Sequence, residues 1–387
     1  MKILFLHKWL IVGGVERILT NYCRLLSDVN NLKIDLLIAF EKDNAPFIEE
    51  IPDNINIYYI FNKFKTLKME KESKERKSNL LNRFLFKIKR IKDKFFCKNS
   101  LSNIINNGNY DIIINFSSHF DPYLDFRNIS IPIIRWQHLA LDDGDSYFYK
   151  DVKYLRKYDK VVSICDEMAT QIKDKANLSN EKLFTLYNPI NFDIVVKKSL
   201  LEEIENDPPY FIQVARLDKI KRHCDLIEIY SRLVNLGVKE NLYIVGNGEE
   251  YHNLKTQIEK LHLQDRCFLL GEIKNPYPYM KNAKLFLHTS EREGLPTVLL
   301  ESLVLGIPVI AMNCKTGVQE ILNYGKCGRI VEFGNKEKFI EDCLLLESDD
   351  LINSYKEEIP KHLSLFSEQS IKSSLIKLLE SLSGELR

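Results

Sequence analysis

No run in this chain approaches the roughly 18 consecutive apolar residues that a membrane-spanning helix needs. The N-terminus enters a strand and a glycine turn rather than the charged-then-apolar pattern of a signal peptide, so the chain is expected to stay in the cytoplasm. Cysteine is present but never clustered: the eight residues Cys23, Cys97, Cys165, Cys224, Cys267, Cys314, Cys327 and Cys343 include no pair closer than 13 positions. That spacing points to neither a zinc knuckle nor a redox C-x-x-C, and reduced, buried thiols are expected. Charge of one sign is also lacking. The formal balance is +1 over 387 residues, and no nucleic-acid module is recognisable, so nucleic acid is not an expected partner. The glycine pair in Gly13-Gly-Val-Glu lacks the G-x-G-x-x-G spacing of a dinucleotide fingerprint, which disfavours a nicotinamide-dependent oxidoreductase.

What is present suits a two-domain α/β protein, since 387 residues exceed one ordinary domain. Strand-like runs fall near Lys2–Leu6, Lys33–Phe40, Ile55–Ile60, Asp111–Asn115, Ile131–Trp136 and Lys160–Ile164. A second series begins at Tyr210 and continues through Leu242–Val245, Arg266–Leu270, Lys284–His288, Ile307–Ala311 and Arg329–Val331. Helical patterns lie between them, as in parallel sheets, and the two series imply two Rossmann-like domains. The expected division is 1–188 and 189–366, with an amphipathic final helix from Ser367 occupying 367–387. Beyond this duplication there is no internal repeat.

The most informative stretch is Glu293-Gly-Leu-Pro-Thr-Val-Leu-Leu-Glu301. A short apolar strand, Ala283–His288, breaks at Thr289-Ser290 into a loop. Pro296 suits a first helical position, and Gly306 with Pro308 is expected to close the helix about three turns later. Glu301 then sits about 7 Å along the axis from the helix start, too far to hold the same ligand atoms as Glu293. Between the two acids, the N–H groups of Gly294, Leu295, Thr297 and Val298 face out at the positive end of a helix dipole, a ready phosphate site. Sugar at one acid, diphosphate on the amides and ribose at the other is the economical assignment. Two solvated glutamates on an amphipathic helix are the plain alternative.

Ser290-Glu-Arg-Glu-Gly-Leu-Pro-Thr-Val-Leu-Leu-Glu-Ser302, followed by Gly306-Ile-Pro-Val-Ile310, resembles the signature of the retaining family-4 glycosyltransferases. The resemblance implies the GT-B fold, two Rossmann-like domains facing each other across a cleft. By register it gives Glu293 contact with the transferred sugar and Glu301 the nucleotide ribose. Ala215-Arg-Leu-Asp-Lys-Ile-Lys221 resembles the family's R-L-x3-K segment, so Arg216 and Lys221 are expected on the diphosphate, where a guanidinium and an ammonium neutralise the charge of a departing nucleoside diphosphate. Arg222 stands where many members carry glycine, either as a further phosphate contact or facing solvent. Val245-Gly-Asn-Gly-Glu249 resembles the turn that packs near the nucleotide, with Gly246 as its candidate. Gly13-Gly-Val-Glu-Arg17 resembles the N-terminal glycine loop, with Gly14 facing the cleft, and Leu186-Tyr-Asn-Pro-Ile190 resembles the interdomain crossing.

His138, ending the strand of Pro132–His138, sits where members often carry a cleft-facing histidine that meets the sugar or stabilises charge near the acceptor. A structural histidine is the alternative, and His119 is a weaker competitor. Asp142-Asp-Gly-Asp145 has the look of the D-x-D metal motif of the other large glycosyltransferase fold. It lies far in sequence from the donor motifs, and no metal or other cofactor is expected.

Charge is unevenly spread. From Lys63 to Lys98 there are fourteen Lys/Arg against four acids, which leaves the rest of the chain about nine units negative. Within that segment Leu81, Phe84, Leu85, Ile88, Ile91 and Phe95 recur at helical spacing, and Arg83, Lys87, Arg90 and Lys94 follow on a neighbouring stripe. Such a helix either covers its own sheet or meets an anionic surface, a lipid headgroup layer or the pyrophosphate of a lipid-linked acceptor. The second case places the chain peripherally on the cytoplasmic face of the inner membrane.

The expectation is therefore a retaining, metal-independent glycosyltransferase. It would move a sugar from a nucleotide-sugar donor, UDP-linked on the family's pattern, to an acceptor hydroxyl of a lipid-linked or cell-envelope glycan such as lipopolysaccharide or capsule. A nucleotide-sugar epimerase of the same fold and a catalytically silent nucleotide-sugar-binding protein are the alternatives.

Overall fold

The computed structural model describes residues 1–11, 13–43, 45–76, 80–141, 144, 148–204, 208–345, 355 and 357–383. The chain divides into two compact units. The first contains Met1–Ile164, Ala169–Pro189 and the residues from Lys372 on; the second contains Cys165–Met168 and Ile190–Ile371.

The first unit is built on a seven-stranded sheet: β1 (Lys2–His7), β2 (Lys33–Phe40), β3 (Asn56–Phe61), β4 (Ile112–Asn115), β5 (Ile133–Gln137), β6 (Lys160–Ser163) and β7 (Leu183–Thr185). Its order is β3-β2-β1-β4-β5-β6-β7, and the paired strands run parallel. The strands β1, β2, β4 and β5 are almost wholly buried, as a parallel sheet covered on both faces requires. The helix α1 (Gly14–Ser27) follows β1 and buries Ile18, Leu19, Tyr22, Cys23 and Leu26. Strand order reverses between β1 and β4, so the crevice where ligands bind in such sheets opens beyond the ends of those two strands.

The second unit repeats the plan with six parallel strands: β8 (Tyr210–Val214), β9 (Asn241–Val245), β10 (Cys267–Gly271), β11 (Leu285–His288), β12 (Val309–Asn313) and β13 (Arg329–Glu332). The order β10-β9-β8-β11-β12-β13 puts its reversal between β8 and β11. One core beneath the sheet gathers Phe211, Leu226, Tyr230, Leu242, Ile310 and Phe339. A doubly wound parallel architecture in both units agrees with the α/β expectation.

Three local features differ from the sequence reading. The edge strand β7 was not expected; it is three residues long and only half-buried, too short to show a pattern. The helix after Glu293 covers Thr297–Val304, eight residues rather than three turns, and Pro296 caps it from outside. A left-handed Gly306 at φ +74 ends it, with the Gly306 N–H on the Leu303 carbonyl and the Ile307 N–H on the Ser302 carbonyl. That is the paired closure a C-terminal glycine allows. The last difference is the basic segment. It forms α2 (Lys63–Glu75) and α3 (Leu80–Asn107), and Cys97, Leu101 and Ile105 are buried on the later turns of α3. On the earlier turns the apolar stripe of Leu81, Phe84, Leu85, Ile88, Ile91 and Phe95 remains 39% to 65% exposed, so it does not cover the sheet.

Glycine is a steric necessity at one turn. Gly246 has φ +144, and a Cβ there would meet the Ala215 carbonyl oxygen at 1.9 Å. Around Gly14 nothing lies within 4 Å of a built Cβ. Gly246→Ala should therefore cost about 2 kcal/mol or more in urea unfolding, whereas Gly14→Ala should stay within about 0.5 kcal/mol of wild type. Equal shifts in the two variants would contradict this packing.

Candidate active site

The crevice of the second unit is formed by the chain leaving β8 and the chain leaving β11. After β8, Asp218 caps a short turn over Lys219–Lys221 by accepting from the Lys221 N–H at 3.3 Å. Arg222 then takes a left-handed conformation, φ +54, before the helix His223–Asn235. A glycine would be unstrained there, which gives a physical reason for the glycine expected at this position. The Arg222 side chain is committed, donating to Asp225 at 2.7 Å and lying 3.9 Å from Glu291. The side chain is still 39% exposed.

The β11 exit is strapped to that turn. Thr289 Oγ1 lies 3.2 Å from the Lys221 carbonyl and 3.3 Å from that of Arg222, and the Glu291 N–H donates to the Ile220 carbonyl at 2.8 Å. On the other side, the Glu293 N–H donates to the Lys315 carbonyl at 2.6 Å, and Thr316 Oγ1 donates to the Gly294 carbonyl at 2.8 Å. These bonds fix the position of the Glu293 side chain.

Glu293 receives the Lys221 ammonium on both carboxylate oxygens, at 2.6 and 2.7 Å, and lies 3.2 Å from His288 Nε2. Burial by itself would raise its pKa, but the His288 hydrogen bond and the Lys221 charge outweigh it and hold the group down to about 2. It is therefore ionised throughout the neutral range.

Beyond Glu293, the N–H groups of Gly294, Leu295, Thr297 and Val298 donate to no backbone carbonyl among the described residues. Thr297 and Val298 open the eight-residue helix, where orphan donors and the helix dipole both favour an anion, and Gly294 and Leu295 precede its cap residue, Pro296. Glu301, further along, has the opposite environment. Burial pushes its pKa up to about 7, offset only in part by the Tyr277 hydroxyl that donates to it at 3.3 Å. Two acids eight positions apart are thus tuned in opposite directions.

Arg216 is 82% exposed at its side chain and lies 3.1 Å from Asp218, at the mouth of the same turn. The turn carrying Gly246 and Gly248 presses on the carbonyls of Ala215 and Leu217, and the Leu217 N–H donates to the Asn247 carbonyl at 3.0 Å. So Arg216, Lys221, Gly246, Glu293, the four amides and Glu301 all belong to one unit and, apart from the β9 turn, to the exits of two neighbouring strands.

His138 and Gly14 belong to the first unit. The His138 ring lies 4.5 Å from Phe116 and parallel to Trp136 at 6.4 Å, and its Nε2 is buried without a hydrogen-bond partner. Burial first, then the neighbouring His7 and Arg135 charges, hold it neutral, well below the usual histidine range. His119 is likewise held down to about 3, mainly by burial. At Gly13 a Cβ would meet Glu16 Oε2, the far end of a flexible side chain, at 2.1 Å. Arg83, Lys87, Arg90 and Lys94 lie on the exposed turns of α3, and Arg90 and Lys94 line a cavity that also contains His119.

The sequence reading missed four residues. His288 and Tyr277 contact the two acids directly, and a histidine closing the strand before the Glu293 loop was the available signal for the first. In the first unit, His7 at the end of β1 lies 3.2 Å from Glu16 of the glycine-loop run, a buried acid–histidine pair at the β1/β4 reversal. Among the described residues no three His, Cys, Asp or Glu side chains gather so as to hold a metal ion. Asp142, Asp143 and Asp145 of the acidic cluster lie outside the described residues.

Residues 198–362 match the family described as glycosyl transferases group 1. A Haemophilus influenzae protein, named only as an uncharacterized glycosyltransferase, is 25% identical over 86% of this chain and 86% of its own length. The Campylobacter jejuni N-acetylgalactosamine-N,N'-diacetylbacillosaminyl-diphospho-undecaprenol 4-alpha-N-acetylgalactosaminyltransferase is 32% identical over 52% of this chain, a match that spans about half, 55%, of that relative. Among solved structures, Anabaena HepE in complex with UDP and glucose superposes with a TM-score of 0.75 at 17% identity, covering 99% of this chain and all of that one. The fold is GT-B. The family match and the relatives support glycosyltransferase activity.

Glu301 keeps its proton to about pH 7 when folded, whereas an unfolded glutamate ionises near about pH 4.3. In that window the unfolded chain binds fewer protons than the folded one, so this group lowers stability as pH rises. Glu301→Gln should consequently melt higher than wild type at about pH 8 and show no advantage at about pH 4. Parallel melting profiles for the two proteins across that range would contradict the assigned environment.

Proposed function

We propose that this chain is a retaining glycosyltransferase that moves a sugar from a nucleoside diphosphate sugar, a UDP-sugar first, to a hydroxyl of a cell-envelope glycan. The single observation that carries the reading is Glu293, held ionised by Lys221 and His288 beside the amides of Gly294, Leu295, Thr297 and Val298, which donate to no backbone carbonyl among the described residues. A fixed carboxylate suits the hydroxyls of a sugar, and a row of free N–H groups suits a diphosphate. Glu301 supplies an acceptor for the ribose hydroxyls. Arg216 and Lys221 stabilise the charge that grows on the leaving diphosphate, so the reaction needs no metal. On the first unit, His138 and Gly14 are the residues we propose to meet the sugar or the acceptor.

Support for UDP comes from the likeness to HepE, solved with UDP and glucose. Support for an envelope acceptor comes from the names of the relatives, a diphospho-undecaprenol-linked transferase in Campylobacter jejuni among them. In the proposed step the C1–O bond to the diphosphate breaks and the acceptor oxygen bonds C1 on the same face. The acceptor's proton passes to the departing phosphate oxygen. A carboxylate with its pKa held near 2 and both oxygens on an ammonium is a poor nucleophile, so Glu293 positions the sugar rather than attacking it.

The test is nucleoside diphosphate release from a panel of UDP-, GDP- and ADP-sugars with EDTA present, while the sugar is checked for isomerisation. Wild type should release diphosphate from one donor, and Glu293→Gln, Lys221→Ala and Arg216→Ala should each lose on the order of a hundredfold or more. Undiminished release in these variants, or isomerised donor with no release, would overturn the reading.

A further inference from the structure

We propose that the first turns of α3 lie in the surface of an anionic lipid bilayer. At 100° per residue, Leu81, Phe84, Leu85, Ile88, Ile91 and Phe95 share one arc of about 120°, and every one of them is exposed. Phe84 and Phe95 are more than 60% exposed, so the first turns of the stripe leave most of their apolar surface in solvent, while Ile91 and Phe95 also border the cavity that contains His119. The opposite side holds the helix down. There Asn82, Phe86 and Asp93 are half-buried, Lys65 pairs with Asp93 at 2.8 Å, and Lys89 pairs with Glu72 of α2 at 2.7 Å.

Charge identifies the occupant. Arg83, Lys87, Arg90 and Lys94 form the stripe next to the apolar arc, and among the described residues none of them has a carboxylate within ion-pairing distance. Together with Arg76 they line an open groove of about 1000 Å³ whose described lining includes no carboxylate. A second copy of this chain would bring a like-charged stripe against it, and a free phosphate would leave six large apolar side chains in water. Anionic headgroups satisfy the cations while the acyl boundary takes the apolar arc, which is the arrangement of an in-plane amphipathic helix. No described helix is long and apolar enough to cross a membrane, so the contact is peripheral.

The placement has a use within the same unit. Arg90, Ile91, Lys94 and Phe95 also line a cavity of about 680 Å³ that contains His119 and Tyr123. A helix seated on lipid would hold that cavity beside the headgroup layer. This inference does not rest on the donor-site assignment.

Sedimentation of the full chain with phosphatidylglycerol–phosphatidylcholine vesicles, and with pure phosphatidylcholine vesicles, tests it. Binding should require phosphatidylglycerol, weaken with salt, and fall on the order of a hundredfold in the triple variant R83Q/K87Q/K94Q. The double variant F84S/I88S should also lose binding while its circular dichroism and melting temperature stay at wild-type values, since both side chains are exposed. Absence of binding, equal binding by the variants, or a dimer in solution that F84S/I88S dissolves would overturn the proposal.

Discussion

A carboxylate taken out of water stays ionised only if a cation and hydrogen bonds replace the water it lost, and the second unit is arranged around meeting that condition at Glu293. Lys221 supplies the cation, and it comes from a different strand exit, 72 residues away in sequence. Bringing the two together explains the local irregularities. The Asp218 cap shapes the Lys219–Lys221 turn, Arg222 adopts a left-handed backbone to leave it, and Thr289 and Glu291 bind its carbonyls from the β11 side. The ion pair at the centre and the bonds around it form one construction at the point where the strand order reverses.

The same reversal accounts for the contrast between the two acids. Glu293 sits in the loop, where cations from the neighbouring strand exit reach it. Glu301 sits on the helix that follows, where the Tyr277 hydroxyl donates to its carboxylate and burial prevails. A group held ionised and a group held near its neutral form therefore lie on one short segment. A hydroxyl-bearing ligand that donates to Glu301 would relieve the burial penalty.

Much of this was legible in the sequence because parallel strands buried on both faces are continuous apolar runs. β1, β2, β4, β6, β8, β9 and β11 fall within two residues of the runs that marked them. The loop–proline–glycine setting of Glu293 and Glu301 was equally clear, although the helix proved shorter and Pro296 lies outside it. Contacts between distant segments were not legible. No spacing could show that Lys221 would clasp Glu293 or that Tyr277 would reach Glu301, because register between strands 70 residues apart is set by packing. Periodicity also identified the amphipathic α3 without revealing which of its faces the sheet would leave uncovered. That depends on how α2 and α3 dock, through pairs such as Lys65 with Asp93.

Crystals grown with a UDP-sugar would test the central claim most directly. The account predicts sugar hydroxyls on Glu293, the diphosphate on the amides of Gly294–Val298 with Lys221 and Arg216, and the ribose on Glu301. A nucleotide bound elsewhere on the second unit, with the Lys221–Glu293 pair untouched and the helix start empty, would contradict it.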